Sequence, residues 1–266
     1  LWTVAVFLFG ILPLVRKRGI GRILIGDEFD TTVRTAFQGI THYNGLFDQS
    51  IYFDHALSRY FLKKGWAVSQ FSALRPLSEL LIEKILVERY PEMQALQVSC
   101  HAAHSVENKV YPCGRCEKCR RIVAMLIALD ANPGRCGYGR DQVRHCLKEF
   151  SRKPVSQLES DARHLSWMLL QKGIVESPSG APYQPAPNPE TMKLRFDPVR
   201  SPIEAIPADL REGLFQIMNQ HADGAVMRID RKWQIIDALS QKAGPYPFEV
   251  ESGSAEPEKS SGPEYD

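Results

Sequence analysis

The 266-residue chain has little net charge and no apolar run long enough to cross a membrane. Its formal charge is +2 at pH 7, so the charge of the whole chain predicts no general affinity for polyanions. Residues 1–15 are apolar but contain Gly10 and Pro13, and a spanning helix needs about 20 apolar residues. Basic residues follow this run, whereas a signal peptide carries its charges before it. We predict a buried helix of an α/β domain here rather than a membrane anchor, and no membrane partner.

Cysteine is also scarce, which excludes a dense disulfide framework. The chain has six cysteines, and four of them fall in one metal-binding pattern. This usage indicates a reducing compartment, and we expect a cytoplasmic protein. Cys136 and Cys146 remain outside the pattern, and we predict that they are partly buried thiols.

The four remaining cysteines form the most specific feature of the sequence. They are Cys100, Cys113, Cys116 and Cys119. Thiolates at this spacing can close a tetrahedral zinc site with Zn–S bonds of about 2.3 Å. The alternatives are a redox pair or reduced core thiols, but the spacing is too regular for chance burial. Four protein sulfurs leave no open coordination position, so we expect a structural Zn²⁺, with His101 or His104 as less favoured substitute ligands.

Alternating strand-like and helix-like segments predict an α/β domain over residues 1–150. Residues 20–26 fit a central parallel strand and residues 66–71 fit the next one. Apolar positions recur with helical spacing over 49–64 and again over 77–86. The order helix, strand, helix, strand, helix implies a layered α/β sheet.

Composition divides the rest of the chain. Helices are predicted over 120–130, 140–150 and 156–172, and eight prolines lie between residues 176 and 207. That proline content opposes regular structure. The predicted divisions are the first domain over 1–150 with a zinc knuckle at 100–119, a helical extension over 151–175, a proline-rich linker over 176–207, a small element over 208–250 and a disordered tail over 251–266.

Two polar groups follow the predicted strands. Asp27 and Glu28 come directly after the first strand, and ligands of open parallel sheets bind outside the carboxyl ends of strands. These carboxylates could hold Mg²⁺, a ribose or a cationic substrate, or they could be a solvated turn. Arg75 and Ser78 follow the second strand, and an arginine there can pair with a phosphate or carboxylate. The alternative is a surface arginine paired with Glu79.

A basic run surrounds the cysteines. Its members are Lys109, Arg115, Lys118, Arg120 and Arg121, with Glu117 opposing them. Such residues can grip nucleic-acid phosphates. Metal-bound thiolates are themselves anionic, so we favour charge balance and do not expect a nucleic-acid partner.

Two phrases carry a resemblance to known families. Ser99-Cys100 followed by Cys113-Gly114-Arg115-Cys116-Glu117-Lys118-Cys119 and Arg120-Arg121 resembles the zinc motif of the 7-cyano-7-deazaguanine synthases. The phrase SALRPLSEL at residues 72–80 resembles the ATP-dependent epimerases of UDP-N-acetylmuramoyl-L-alanyl-L-glutamate. Both families are similar to the PP-loop ATP pyrophosphatases, and the resemblance covers roughly residues 1–150. It implies a partial doubly wound parallel sheet of the adenine-nucleotide hydrolase kind.

The resemblance implies an activity as well. It implies adenylation of a small-molecule carboxylate with ATP and Mg²⁺, with release of pyrophosphate and with Asp27, Glu28, Arg75 and Ser78 facing the nucleotide or substrate. The S-G-G-x-D-S type loop that cradles the pyrophosphate is nowhere in this sequence, so its backbone N–H donors are missing. Because the chain starts with leucine, we expect it to be the carboxyl-terminal half of a longer protein. A missing N-terminal segment or a partner domain would then supply the loop.

Two other functions stay open at this point. The chain could be a non-catalytic zinc-knuckle module that binds nucleic acid or a partner enzyme, or the substrate-selecting half of a fused hydrolase. The residues after 150 match no motif, and they could form a lid or a homo-oligomer contact.

Overall fold

The computed structural model describes residues 3–43, 45–153, 159–176 and 184–249 of the chain. Within them the α-helices are α1 (Thr3–Lys17), α2 (Ile51–Lys63), α3 (Glu79–Arg89), α4 (Pro91–Gln94), α5 (Glu117–Ala128), α6 (Arg140–Phe150), α7 (Glu159–Gln171) and α8 (Ala208–Asn219). The strands are β1 (Arg22–Ile25), β2 (Arg34–Phe37), β3 (Ile40–Tyr43), β4 (Ser69–Ser72), β5 (His104–Val106), β6 (Lys109–Tyr111), β7 (Leu194–Phe196), β8 (Ala225–Ile229) and β9 (Lys232–Ile236). The predicted tail over 251–266 lies outside the described residues.

A small parallel sheet positions the first polar group. Strands β1 and β4 pair in parallel, with Arg22 opposite Ser69, and helix α2 lies between them in the chain. Ser50 caps α2, because its side-chain oxygen accepts a hydrogen bond from the backbone N–H of Phe53. The strands and the helix predicted from hydrophobic spacing are therefore present, and the mixed α/β class is confirmed.

Helix α1 differs from the prediction of a buried helix. Its Leu8, Leu12 and Val15 are buried against α2 and β1. The opposite face exposes large apolar side chains, among them Phe7 at 69% and Phe9 at 51%. A helix that is apolar all round needs cover on every side, and the described residues cover only one side of α1. None of the described helices combines the length and hydrophobicity needed to cross a membrane.

Helix α5 is the centre of the second core. Its Val123, Ala124, Met125 and Leu126 are fully buried and pack among α3, α6 and α7. Full burial of four successive residues means that α5 is covered on every side. The two cysteines at its N-terminus are therefore attached to a rigid element.

A third core joins the C-terminal part to α3. Strands β7 and β8 are parallel, β8 and β9 are antiparallel, and this sheet packs with α8 against Leu81 and Ile85 of α3. All three residues of β7 are buried, and the backbone N–H of Arg195 donates to the carbonyl oxygen of Pro76 at 2.8 Å. The part of the predicted linker around β7 is therefore packed core, because the prolines flank the strand and do not interrupt its hydrogen bonds.

Candidate metal centre and adjoining polar cluster

The four cysteines of the predicted knuckle converge on one point. Their Sγ atoms all lie within 4.8 Å of one another. The Sγ–Sγ distance is 3.8 Å for Cys100 and Cys116, 3.8 Å for Cys113 and Cys119, and 3.5 Å for Cys116 and Cys119. A tetrahedron with metal–sulfur bonds of about 2.3 Å has edges of about 3.8 Å. The cluster therefore has the dimensions of a site that could hold one metal ion.

Local structure brings the ligands together. Cys116 is the N-cap residue of α5 and Cys119 lies in its first turn. The hairpin of β5 and β6 returns the chain to Cys113, and its turn residues Glu107 and Asn108 have φ values of 48° and 62°. Two successive positive φ values are typical of the tight turns that join antiparallel strands. The hairpin thus closes the long gap between the first two cysteines.

Gly114 is required where the knuckle meets α6. Its φ is +67°, and a Cβ at this position would lie 2.5 Å from Cγ of Gln142. The side chain of Gln142 donates to the carbonyl oxygen of Pro112 at 3.3 Å, and the Cys146 thiol donates to the carbonyl oxygen of Gly114 at 3.3 Å. Helix α6 therefore holds the backbone of the knuckle by direct contact, and only glycine fits there.

Backbone donors favour charged sulfur. The N–H groups of Cys113 and Ala102 donate to Sγ of Cys100 at 3.2 and 3.3 Å, and that of Arg115 donates to Sγ of Cys113 at 3.4 Å. Burial raises the pKa of Cys116, but N–H donors from its surroundings outweigh this and lower that pKa to about 7. Burial raises the pKa of Cys119. A bound cation would lower the pKa of Cys119 again, because it stabilises the thiolate directly.

Two histidines and two arginines near the cysteines lie outside the cluster. Within the described residues the cluster contains cysteines only, and His101 and His104 are exposed. Arg121 is buried and pairs with Glu79 at 3.1 Å. Arg120 is also buried and donates to the carbonyl oxygen of Glu149 at 3.5 Å. Both arginines therefore have partners inside the protein.

Arg75 lies in the interior and pairs with acids other than Glu79. It is 1% exposed, and its Nη2 lies 2.7 Å from Oδ2 of Asp54 and 3.7 Å from Oδ2 of Asp27. Its Nη1 donates to Oγ1 of Thr31 at 2.7 Å and to the carbonyl oxygen of Gln49 at 3.0 Å. The guanidinium thus joins three segments of the chain, and its donors are directed at protein atoms.

Ser78 has a structural position as well. It is fully buried, its oxygen accepts from the backbone N–H of Leu81 at 2.9 Å, and its hydroxyl donates to the carbonyl oxygen of Thr191 at 2.6 Å. The side chain therefore caps α3 and ties it to the segment before β7.

The carboxyl ends of β1 and β4 meet at Asp27. Its backbone N–H donates to Oγ of Ser72 at 3.1 Å, and its Oδ2 is buried without a hydrogen-bond partner among the described residues. Burial raises the pKa of Asp27 to about 8, although the Arg75 charge opposes the shift. Burial also raises the pKa of the half-buried Glu28, against the charges of Arg75 and Arg121. The structure brings Asp27 and Arg75 together and leaves Ser78 apart from them.

Sequence reasoning missed the buried arginine at position 195. Arg195 lies within 3.3 Å of carboxylate oxygens of Asp30 and Asp161, and its guanidinium stacks over the ring of Phe29 at 4.2 Å. These residues come from three distant parts of the chain, so neither spacing nor periodicity could indicate their contact.

The raised pKa of Asp27 predicts a pH-dependent stability. Between its ordinary value of 3.8 and about 8, the folded state binds a proton that the unfolded state releases, so this residue's contribution to stability falls as pH rises. We expect Asp27→Asn to remove that dependence. As pH rises, the free energy of unfolding of the variant should therefore increase relative to that of the wild type, by up to about 1.4 kcal/mol per pH unit. Urea unfolding from about pH 6 to 9 checks this, with the exposed Asp141→Asn as control. Parallel curves for Asp27→Asn and wild type would contradict it.

The fold and the cysteine geometry define the class as a mixed α/β protein with a four-cysteine cluster that could bind a metal. Comparison with protein-family models, with curated proteins and with solved structures gives no match.

Proposed function

We propose that the four cysteines bind one Zn²⁺ in a structural role. The observation that supports this is the Sγ–Sγ geometry: three of the six distances are 3.5–3.8 Å and all six are within 4.8 Å, close to the edges of a tetrahedral site. All-sulfur tetrahedral sites suit zinc or iron, and four protein ligands leave no position for a reacting water. Metal analysis of protein purified under reducing conditions is expected to give one zinc per chain. Iron, or no metal, would overturn the assignment.

We further propose that the chain is the carboxyl-terminal half of an ATP-dependent carboxylate-adenylating enzyme, similar to the 7-cyano-7-deazaguanine synthases or to the muramoyl-dipeptide epimerases. A doubly wound parallel sheet is part of this proposal. Its support is the position of Asp27 and Glu28 at the carboxyl end of β1, where α/β proteins bind ligands. The buried Asp27 Oδ2 without a hydrogen-bond partner is an acceptor that a substrate group or a cation could satisfy.

The proposed reaction activates a poor leaving group. A substrate carboxylate oxygen attacks the α-phosphorus of ATP, the bond between that phosphorus and the bridging oxygen breaks, and pyrophosphate leaves. The resulting acyl-adenylate either accepts a nucleophile and releases AMP, or loses its α-proton more readily, regains a proton on the other face and is hydrolysed by water to the free acid and AMP. Asp27 and Glu28 would orient the substrate or a Mg²⁺ ion. Arg75 and Ser78 would support that loop from behind, because their donors are used within the chain.

The phosphates need donors from elsewhere. The S-G-G-x-D-S type loop is absent from the 266 residues, so the proposal requires it from a missing N-terminal segment or a partner domain. A small-molecule carboxylate as substrate and a homo-oligomer of this chain are also proposed.

ATP–pyrophosphate exchange tests the proposal in the full-length natural protein with a panel of carboxylic acids. We expect exchange with at least one acid, and a loss of at least about tenfold, or 1.4 kcal/mol, in Glu28→Gln. The matched control is Glu212→Gln on the exposed surface of α8, which should exchange at the wild-type rate. Absence of exchange with every acid, in a protein that carries a phosphate loop, would refute adenylation.

A further inference from the structure

Helix α6 and the turn after it carry basic side chains at intervals of four residues, here called the basic ridge. Its members are Arg140, Arg144, Lys148 and Arg152, and all four are exposed. A spacing of four residues places side chains on one face of a helix. The charges therefore repeat about every 6 Å over a length of about 18 Å.

The charge of the basic ridge is largely uncompensated. Arg144 pairs with Asp141 at 3.0 Å, but both side chains are more than three-quarters exposed, and such a pair contributes little. Among the described residues, Arg140, Lys148 and Arg152 have no ion-pair partner. Four cations in a row on a surface are thus available to an external anion.

Two concavities run along the basic ridge. One has a volume of 580 Å³ and is lined by Arg140, Arg144 and neighbouring residues. The other has a volume of 380 Å³, and its lining contains the three cations Arg144, Lys148 and Arg152 against one acid, Glu176. Arg144 lines both, so the two concavities lie next to each other at this side chain. The ridge therefore borders a groove and not a convex, fully solvated face.

Charge is segregated along this chain. Residues 109–153 contain eleven lysines and arginines against four aspartates and glutamates, whereas the whole chain has 33 against 31. The near-neutral total therefore conceals a strongly basic region balanced by acidic residues elsewhere. Net charge predicted no general affinity for polyanions, but a local excess of positive charge can still bind them.

We propose that the basic ridge binds the sugar–phosphate backbone of single-stranded nucleic acid. Arginine pairs bidentately with phosphate, and a regular row of cations beside a groove suits a regularly spaced anionic backbone better than it suits a folded acidic surface. Among the described residues that line the two concavities, Tyr138 is the one aromatic and is 4% exposed, so the proposed contacts are to the backbone and not to the bases. Binding is therefore independent of sequence. The cysteine knuckle is the less favoured site, because two of its five basic residues, Arg120 and Arg121, are buried.

The affinity follows from counterion release. Each phosphate contact to a single strand lowers the salt slope by about 0.7, so four contacts give a slope of about −2.8. Fluorescence anisotropy with a labelled, mixed-sequence oligonucleotide of about 12 nucleotides is expected to show about 50-fold weaker binding at 200 mM than at 50 mM salt. A slope near zero, or no binding at the lower salt, would overturn the proposal.

A matched pair of variants locates the site. Replacing all four ridge residues by glutamine (Arg140→Gln, Arg144→Gln, Lys148→Gln, Arg152→Gln) should weaken binding at least about tenfold and flatten the salt slope. The control makes the same charge change at exposed lysines elsewhere: Lys17→Gln, Lys63→Gln, Lys232→Gln and Lys242→Gln. Circular dichroism and metal content show that both variants fold. Equal loss in the two variants, or none in the first, would refute the ridge as the site.

Two competitors separate the partner classes. Single-stranded oligonucleotide should compete at least about tenfold better than polyglutamate of equal charge, because its phosphates are regularly spaced along the backbone whereas the carboxylates of polyglutamate lie at the ends of flexible side chains. If polyglutamate competes equally, the groove is a site for an acidic protein segment and the proposal is wrong. If a duplex of the same sequence binds more tightly than the single strand, the assignment to single strands is wrong.

Discussion

A Cys116→Ser variant is expected to lose its metal and to unfold the region from Cys100 to the end of α5. Structural zinc sites release about 10–16 kcal/mol on binding, and that free energy is folding free energy. A domain of ordinary stability holds only about 5–15 kcal/mol, so the loss is large enough to abolish the folded region. Metal analysis and hydrogen exchange of the α5 amides measure it. Chelation of the wild-type protein should reproduce the same result.

The control for this variant is Cys136→Ala. Cys136 is also buried in the α5 core, but it contacts Gln94 and is not a member of the cluster. We expect it to keep one metal per chain and to lose about 1–3 kcal/mol from an unpaired buried amide. Cys146 would be a poorer control, because its thiol holds the backbone of Gly114. If the Cys116→Ser protein retains the metal and the exchange protection of α5, the metal does not stabilise this region through Cys116.

Arg75→Met should cause the second-largest loss. The substitution leaves the Asp54 carboxylate buried without its cation, and breaking a buried pair by removing one partner costs about 3–5 kcal/mol. Hydrogen bonds to Thr31 and Gln49 are lost as well. The free energy of unfolding from urea titration at neutral pH provides the measurement.

A second variant distinguishes lost charge pairing from lost packing. Asp54→Asn keeps Oδ1 as an acceptor for the side-chain amide of Gln70, which donates to it at 2.8 Å, and it removes the buried charge. Arg75→Met combined with Asp54→Asn should therefore recover at least half of the loss, because the uncompensated carboxylate is gone. If the double variant shows the sum of the two single losses, the pair is not coupled.

Local patterns predicted the elements and the metal centre. The helical period of residues 49–64 and the buried run at 20–26 became α2 and β1, because the apolar residues that set those periods also form the core. The cysteines could be found for a related reason, since they span only 20 residues and their spacing alone limits their geometry. Features that depend on residues close together in the chain could thus be predicted from the sequence.

Contacts between distant segments of the chain could not be predicted from the sequence. Arg75 was predicted to face a ligand, but its acidic partners lie 21 and 48 residues away, and nothing in the sequence marks them as partners. Strand β7 was hidden by the prolines on either side of it. Helix α1 was predicted to be buried from its composition, although burial depends on how much surface its neighbours offer.

The short span of the cysteines sets an order of events in folding. Closing a short loop costs little entropy, so the metal can bind before the distant partners of β7 and Arg195 have assembled. Nine of the 12 residues of α5 are buried, and two ligands stand at its start. A metal bound there would therefore order the start of the helix on which the α5 core is built, and the yield of folded chain would then depend on the supply of metal during synthesis.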